Sequence, residues 1–284
     1  MSIRSLYPIG VFDSGIGGLT VLRAIHQLLP DQPVLYVADQ AHVPYGPRQL
    51  KEVRDFSEAI TRYLLEQGAG LIVVACNTAS AAALKHLRAT FRELPFVGME
   101  PAVKPAAEHT KSGVVGVLAT PATFQGELYA SVVERFGQGV RLLQNTCPGL
   151  VTQIETGVLG SPEIRRILEK ALQPMLAEGI DTIVLGCTHY PFVIPVIQEI
   201  VGPGVRVIDP APAVARQVQR LLVASELFEM ETKFHEPVTP FPLHLMRFLT
   251  TGNTKDLERL LPGLLGEIAP VEKLTWRAGK LVTG

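Results

Sequence analysis

The sequence has no surplus of either charge. Its 26 Lys and Arg stand against 27 Asp and Glu, a formal net charge of −1. That balance points to no nucleic acid and no anionic membrane as partner. No apolar run approaches the roughly 18 residues of a membrane span, and residues 1–8 lack the basic-then-apolar layout of a signal peptide. Cysteine is scarce and odd in number, three in 284 residues, which does not make a disulfide framework. The expectation is a cytoplasmic protein with reduced thiols. Familiar cofactor loops are missing too. No Gly-Lys-Ser/Thr marks a P-loop, and Gly15-x-Gly17-x-x-Thr20 lacks the last glycine of the dinucleotide fingerprint. There is no thioredoxin-type C-x-x-C. A phosphatase loop needs Arg six residues after its Cys, where Cys76 and Cys187 are followed by Ala82 and Val193.

Nearly half of the residues are apolar, ample for one large or two medium cores. Strand-like runs at 9–12, 34–38, 71–75, 114–118, 140–144, 182–185 and 205–208 alternate with amphipathic helical patterns. The helices are expected at 19–29, 49–67, 79–91, 123–136, 162–178, 191–200 and 214–223. The run 71–75 is apolar throughout, as in a parallel sheet covered on both faces. This predicts an α/β protein of two similar, doubly wound halves with mainly parallel sheets. One unit comprises 9–100 with a return of the chain at 211–275, and the other 101–210. The stretch 226–242 resists reading; after it a strand is expected at 243–250 and a helix at 254–261.

Two segments look like copies. L-I-V-V-A-C-N-T-A-S at 71–80 matches T-I-V-L-G-C-T-H-Y-P at 182–191, placing Cys76 and Cys187 at an offset of 111 (187 − 76). A weaker echo pairs I-G-V-F-D-S from Ile9 with V-G-V-L-A-T from Val115, at an offset of 106 (115 − 9). Each cysteine follows a strand and precedes a helix, where free N–H groups favour thiolate. A buried, inert cysteine is the plain reading of either one alone. A duplicated unit delivering one thiol from each half suits an acid and a base on opposite sides of one carbon. A papain-like hydrolase would leave the second thiol unexplained. Zinc held by Cys76, Cys187 and His189 lacks the usual local ligand spacing.

Other residues gain from their neighbours. Asp13 opens D-S-G-I-G-G after the first strand, and its plain reading is a turn or N-cap residue. The glycines permit close approach of backbone to a carboxylate or phosphate. His189 could exchange a proton with Cys187. His26, His42, His86, His109, His235 and His244 have no comparable setting, although His42 precedes the turn P-Y-G-P-R, a candidate lid. Cys147 before Pro148 reads as structural, and Glu155, seven residues into a helix expected from Pro148, gains no privilege from spacing.

Together these segments resemble the glutamate racemase family of the cofactor-independent aspartate/glutamate racemases. The carriers are G-V-F-D-S-G-I-G-G-L-T-V (10–21), V-P-Y-G-P-R (43–48), V-A-C-N-T-A-S (74–80) and L-G-C-T-H-Y-P-F (185–192). Weaker ones are G-V-L-A-T-P-A-T (116–123), C-P-G-L-V-T-Q-I-E-T-G (147–157) and F-L-T-T-G-N (248–253). The resemblance implies two pseudo-symmetric domains holding the amino acid between them. It implies Cys76 and Cys187 as the two bases, assisted by Asp13, Glu155 and His189. Substrate contacts would come from Asp13, Ser14, Tyr45, Gly46, Asn77, Thr78, Thr188 and His189, with Thr120 and Thr123 in addition. The implied activity is interconversion of L- and D-glutamate for peptidoglycan, by a homodimer without metal or cofactor. The segment 39–43 and Gly149-Leu150 depart from the family pattern. A racemase for aspartate or another amino acid, a binding protein with a degenerate site and a zinc hydrolase are the alternatives.

Overall fold

The computed structural model describes residues 7–229 and 246–284. The chain begins with β1 (Ile9–Asp13), α1 (Leu19–Leu28), β2 (Val34–Ala38), α2 (Leu50–Glu66), β3 (Leu71–Val74), α3 (Asn77–Thr90) and β4 (Phe96–Gly98). Next come α4 (Val103–His109), β5 (Val114–Ala119), α5 (Pro121–Gln125), α6 (Glu127–Phe136) and β6 (Arg141–Asn145). They are followed by α7 (Leu150–Glu155), α8 (Pro162–Ala177), β7 (Thr182–Gly186), α9 (Ile194–Val201) and β8 (Arg206–Ile208). The last elements are α10 (Ala211–Glu229), β9 (Met246–Thr250), α11 (Thr254–Leu264), β10 (Val271–Arg277) and β11 (Lys280–Thr283).

These strands make two sheets, ordered β11-β10-β9-β2-β1-β3-β4 and β6-β5-β7-β8. All pairings are parallel except the β10–β11 hairpin. This is the mixed α/β architecture with mainly parallel sheets that the alternating pattern predicts. The first sheet runs past residue 275, because β11 ends at Thr283.

The segments β2-β1-β3-β4 and β6-β5-β7-β8 have the same relative order. Register repeats as well: Ile9 pairs with Leu71, and Val115 with Thr182. Those partners differ by 106 (115 − 9) and 111 (182 − 71), the offsets of the two sequence echoes. Cys76 and Cys187 therefore leave equivalent strands at equivalent heights. Ser14 likewise corresponds to Thr120, and Thr78 to His189. The four residues of β3 are all buried, as a β-branched strand covered on both faces requires. Behind the cleft, Ile16 and Leu19 share one buried apolar cluster with Leu150, Ile154 and Tyr190. Each such side chain contributes roughly 1.5–3 kcal/mol on burial, so the two halves pack as one body there.

Local boundaries differ from the sequence reading where the backbone leaves the helical conformation or a cap residue sets the start. The helix expected at 123–136 is two, because Gly126 is extended (φ −73°, ψ 141°) between α5 and α6. The helix expected from Pro191 begins at Ile194, after a 3-10 turn at Tyr190–Val193. The helix expected from Pro148 begins at Leu150, after Gly149 takes a left-handed conformation (φ 84°). In the third helix, Cys76 itself is the N-cap and Asn77 the first helical residue, two before the expected start. The strands β4, β10 and β11 and helix α4 have no counterpart in the reading. Residues 230–242 of the unreadable stretch, and 243–245 of the strand expected at 243–250, lie outside the described residues.

Asp181 ties the base of the second sheet together, just ahead of β7. Its carboxylate accepts from Thr110 Oγ1 (2.7 Å), Lys111 N (2.6 Å), Ser112 N (2.8 Å) and Thr182 Oγ1 (3.0 Å). Burial opposes the charge, but these bonds outweigh it and hold the carboxyl at about 2 against an ordinary 3.8. A depressed carboxyl stabilises the fold above its unfolded value and loses that contribution as pH falls through about 2. Asp181→Ala is expected to cost about 1 kcal/mol near neutrality, because the carboxylate and its bonds are largely open to solvent. Urea unfolding should show the gap from wild type narrowing as pH is lowered from ~4 toward ~2. A gap independent of pH would contradict this account.

Candidate active site

The first half delivers Cys76 and Asp13. Asp13 ends β1 and Cys76 follows the neighbouring β3, so both stand at the carboxyl edge of the sheet, where α/β pockets form. The Cys76 Sγ accepts a hydrogen bond from Ala79 N at 3.5 Å and lies 4.0 Å from Ser14 Oγ. Asp13 is fully buried; its Oδ2 accepts from Gly18 N at 2.8 Å and its Oδ1 from Thr188 Oγ1 at 3.5 Å. Burial pushes the Asp13 carboxyl up, against the pull of His189 and Gly18 N–H. Burial, then the Asp13 charge, pushes the Cys76 thiol well above its ordinary value, so Cys76 carries its proton.

The second half delivers Cys187 with a different companion. His189 Nδ1 lies 3.9 Å from Cys187 Sγ, and its Nε2 lies 2.6 Å from Glu155 Oε1. The same Glu155 oxygen accepts from Ile16 N at 2.9 Å, across 139 residues of sequence. Burial disfavours an imidazolium at His189, but its bonds to Cys187 and Glu155 outweigh this and hold it well above its ordinary value. Burial likewise opposes charge on Glu155, and the His189 bond and charge outweigh it, leaving the carboxyl below its ordinary value. Once His189 takes a second proton, it and Glu155 form an ion pair with a charge-assisted hydrogen bond.

Two glycines of D-S-G-I-G-G, Gly15 and Gly17, are explained by this packing. A Cβ on Gly15 would overlap the Glu155 carboxylate. One on Gly17 would overlap the His189 ring and stand 2.7 Å from Thr188 Oγ1. Groups from the second half thus close directly onto the backbone of the first.

Between the thiols lies a cavity of about 270 Å³. Ser14, Tyr45, Gly46, Cys76, Asn77, Thr78, Thr120, Cys187, Thr188 and His189 all line it. Asp13, Glu155 and Thr123 do not; they stand behind lining residues. Thr123 Oγ1 bonds Thr120 Oγ1 at 2.9 Å, which in turn bonds Thr78 Oγ1 at 2.8 Å, a hydroxyl chain across the two halves. Among the described residues no Lys or Arg lines the cavity, so a charged ligand would meet hydroxyls, the Asn77 carboxamide, the His189 ring and backbone N–H groups. Asn77 is 3% exposed, and neither its Oδ1 nor its Nδ2 has a partner among the described residues. Such an amide is expensive unless a ligand completes it.

The P-Y-G turn forms one wall through Pro44, Tyr45, Gly46 and Pro47. Tyr45 is fixed by donating to Asp39 Oδ2 at 2.6 Å. His42 stays outside the cavity, bonded to Asp39 at 2.9 Å and stacked on Phe56 at 3.9 Å. Thr146, Val151, Thr152 and Tyr190 also line the cavity and were missed in the sequence. The only signal for the first three is their place in or next to the weaker motif at 147–157. Cys147, read as structural, is buried in the cavity wall with φ 43°. Burial and the nearby Cys187 push its thiol up to about 12. No group of three His, Cys, Asp or Glu side chains among the described residues is arranged to hold a metal ion.

Fold and cavity together define an α/β enzyme whose pocket lies at the carboxyl ends of two parallel sheets. The family model for Asp/Glu/hydantoin racemases matches residues 9–218. A glutamate racemase of Ectopseudomonas mendocina (strain ymp) is 49% identical over 268 residues, spanning 94% of this chain and 98% of its own. Among solved structures, glutamate racemase isoform RacE1 from Bacillus anthracis superposes with a TM-score of 0.82 at 31% identity, covering 97% of this chain and 99% of that one. The Escherichia coli glutamate racemase, in complex with L-glutamate and activator UDP-MurNAc-Ala, superposes with a TM-score of 0.81 at 32% identity, covering 95% and 98%. The chain belongs to the Asp/Glu/hydantoin racemase family and is an amino-acid racemase.

Proposed function

We propose that this chain is a glutamate racemase that moves the α-proton between Cys76 and Cys187, without metal or cofactor. The observation that carries the reading is a pair of thiols on equivalent strands of the two halves, both lining one cavity. The near half-identity to a glutamate racemase over almost its full length supports the substrate, as does the L-glutamate in the Escherichia coli structure.

The α-proton of an amino acid is a very weak acid. Its removal needs a thiolate on one face, a protonated thiol on the other, and support for charge spreading onto the carboxylate. Transfer of the Cys187 proton to His189 Nδ1 makes a thiolate beside an imidazolium, with Glu155 as counter-ion. Cys76, kept protonated by burial and Asp13, returns a proton to the opposite face. Asn77, Thr78, Thr188 and Ser14 meet the substrate's carboxylates and ammonium, and a cavity closed to water strengthens those contacts. Each turnover exchanges the protonation states of the two thiols. Tyr45 and Gly46 complete the wall, and Thr123 orients Thr120.

The two units are 9–100 with 211–275, extended to Thr283 by the β10–β11 hairpin, and 101–210, acting in the cytoplasm as a homodimer that supplies D-glutamate for peptidoglycan. No helix among the described residues is long and apolar enough to cross a membrane. The test is solvent deuterium incorporation at Cα of L- and D-glutamate, without added metal or cofactor. Exchange coupled to inversion is expected from either enantiomer. Exchange with aspartate and none with glutamate would move the substrate to a neighbouring member of the family. No exchange with either would sink the reading.

A further inference from the structure

The loop after β2 presents a side chain to which the mechanism above assigns no part. Gln40 Nε2 lies 3.3 Å from Glu155 Oε2, and its Oε1 lies 2.8 Å from Thr250 Oγ1. This orientation of the amide is the only one that bonds both neighbours, because an ionised carboxylate can only accept. The turn after β9 is shaped around the same side chain. A Cβ on Gly252 would stand 2.6 Å from Gln40 Cβ and 3.0 Å from its Oε1. Gly252 N in turn donates to Thr250 Oγ1 at 2.9 Å. The T-T-G of the weaker motif at 248–253, which no step of the reaction uses, therefore forms a seat for Gln40.

The other Glu155 oxygen is already occupied, accepting from both Ile16 N and His189 Nε2. Gln40 is the one side chain described on Oε2. A carboxylate anchored through one oxygen turns about its last torsion, which is soft and two-fold. Anchored through both, it keeps its Oε1 lone pair on the imidazole.

We propose that Gln40 is a positioning residue for the Cys187 half of the reaction. By holding Oε2 of Glu155 it fixes the carboxylate against His189, and thereby the imidazole that takes the Cys187 proton. The inference rests on the two-thiol reading of the site. The groups facing His189 and Glu155 are each other, Cys187 from the end of β7, Asp13 from β1 and Tyr36 from β2. All of these remain when Gln40 is changed.

The test uses Gln40→Met, which keeps length and bulk and removes the amide. In ring-labelled protein, the His189 signal is assigned by its loss in His189→Asn and titrated by NMR. Its midpoint is expected to move down in Gln40→Met, because the carboxylate that favours the imidazolium is less well aimed. Thr250→Val, which removes the hydroxyl seating Gln40, should move it in the same direction by less. With glutamate, Gln40→Met should lower kcat/KM about tenfold. In a Glu155→Gln background the same change should cost less than about twofold. An unmoved midpoint in both variants, or an equal loss in both backgrounds, would overturn the proposal. A wild type inert toward glutamate would defeat the functional reading instead, leaving the titration to judge Gln40.

Discussion

Replacing either Cys76 or Cys187 by serine is expected to abolish inversion, with a loss of roughly 10²–10⁴-fold per variant, the range of a positioned acid or base. A hydroxyl fits the space of the thiol but is a far poorer proton carrier at neutral pH. The more telling result concerns exchange. In each variant the surviving thiol can still reach the α-hydrogen of the one enantiomer that points toward it. It takes that proton, equilibrates with solvent and returns deuterium to the same face. One variant should therefore wash label into L-glutamate and the other into D-glutamate, neither with inversion. NMR of each enantiomer in deuterated buffer reads this directly. Both variants labelling the same enantiomer would contradict a thiol on each face. Inversion retained in either would remove that cysteine from the mechanism.

Changing Asn77 to leucine should separate stability from activity. The carboxamide is buried at the first turn of α3, next to Cys76, with both polar atoms unpartnered among the described residues. Leaving such a group unsatisfied costs roughly 1–3 kcal/mol, a cost that persists only where function requires the group. An amino-acid substrate offers what is missing: an ammonium for Oδ1 and a carboxylate for Nδ2. Asn77→Leu keeps the branched heavy-atom skeleton and removes the unmet polarity, the larger methyls having the cavity beside them. The substrate-free protein should unfold in urea at the same concentration as wild type or higher. In contrast, kcat/KM should fall about 10²–10³-fold, as for the loss of one charge-stabilising donor. A variant of lower stability and normal activity would mean that Asn77 serves the fold and not the substrate.

Much of this is legible in the sequence. The β-branched runs ending in a small residue and a cysteine mark two equivalent strands, because period and residue type report burial locally. The offset between the echoes even carries the register, since Ile9–Leu71 and Val115–Thr182 pair alike. The short hairpin β10–β11 was not legible. Its two turn residues, Ala278 and Gly279, both have positive φ (47° and 75°), and alanine does not announce such a turn. Nor was the break at Gly126, because a lone glycine inside a helical pattern is usually tolerated.

The sequence by itself determined the α/β alternation, the duplicated unit and the two thiols, for each depends on neighbours a few positions away. The tertiary structure alone decided which groups serve those thiols. Glu155 carries no periodic or spacing signal, yet it meets Ile16 N from 139 residues away and the ring of His189. Gln40 meets Thr250 across 210 residues, and Thr188 meets Asp13 across 175. The Glu155 and Thr188 contacts exist because the two halves pack face to face over glycines with no Cβ to hold them apart, and the Gln40 contact because β9 returns to pair with β2. Hydrogen bonds made across such an interface depend on how the units dock, which no local pattern records.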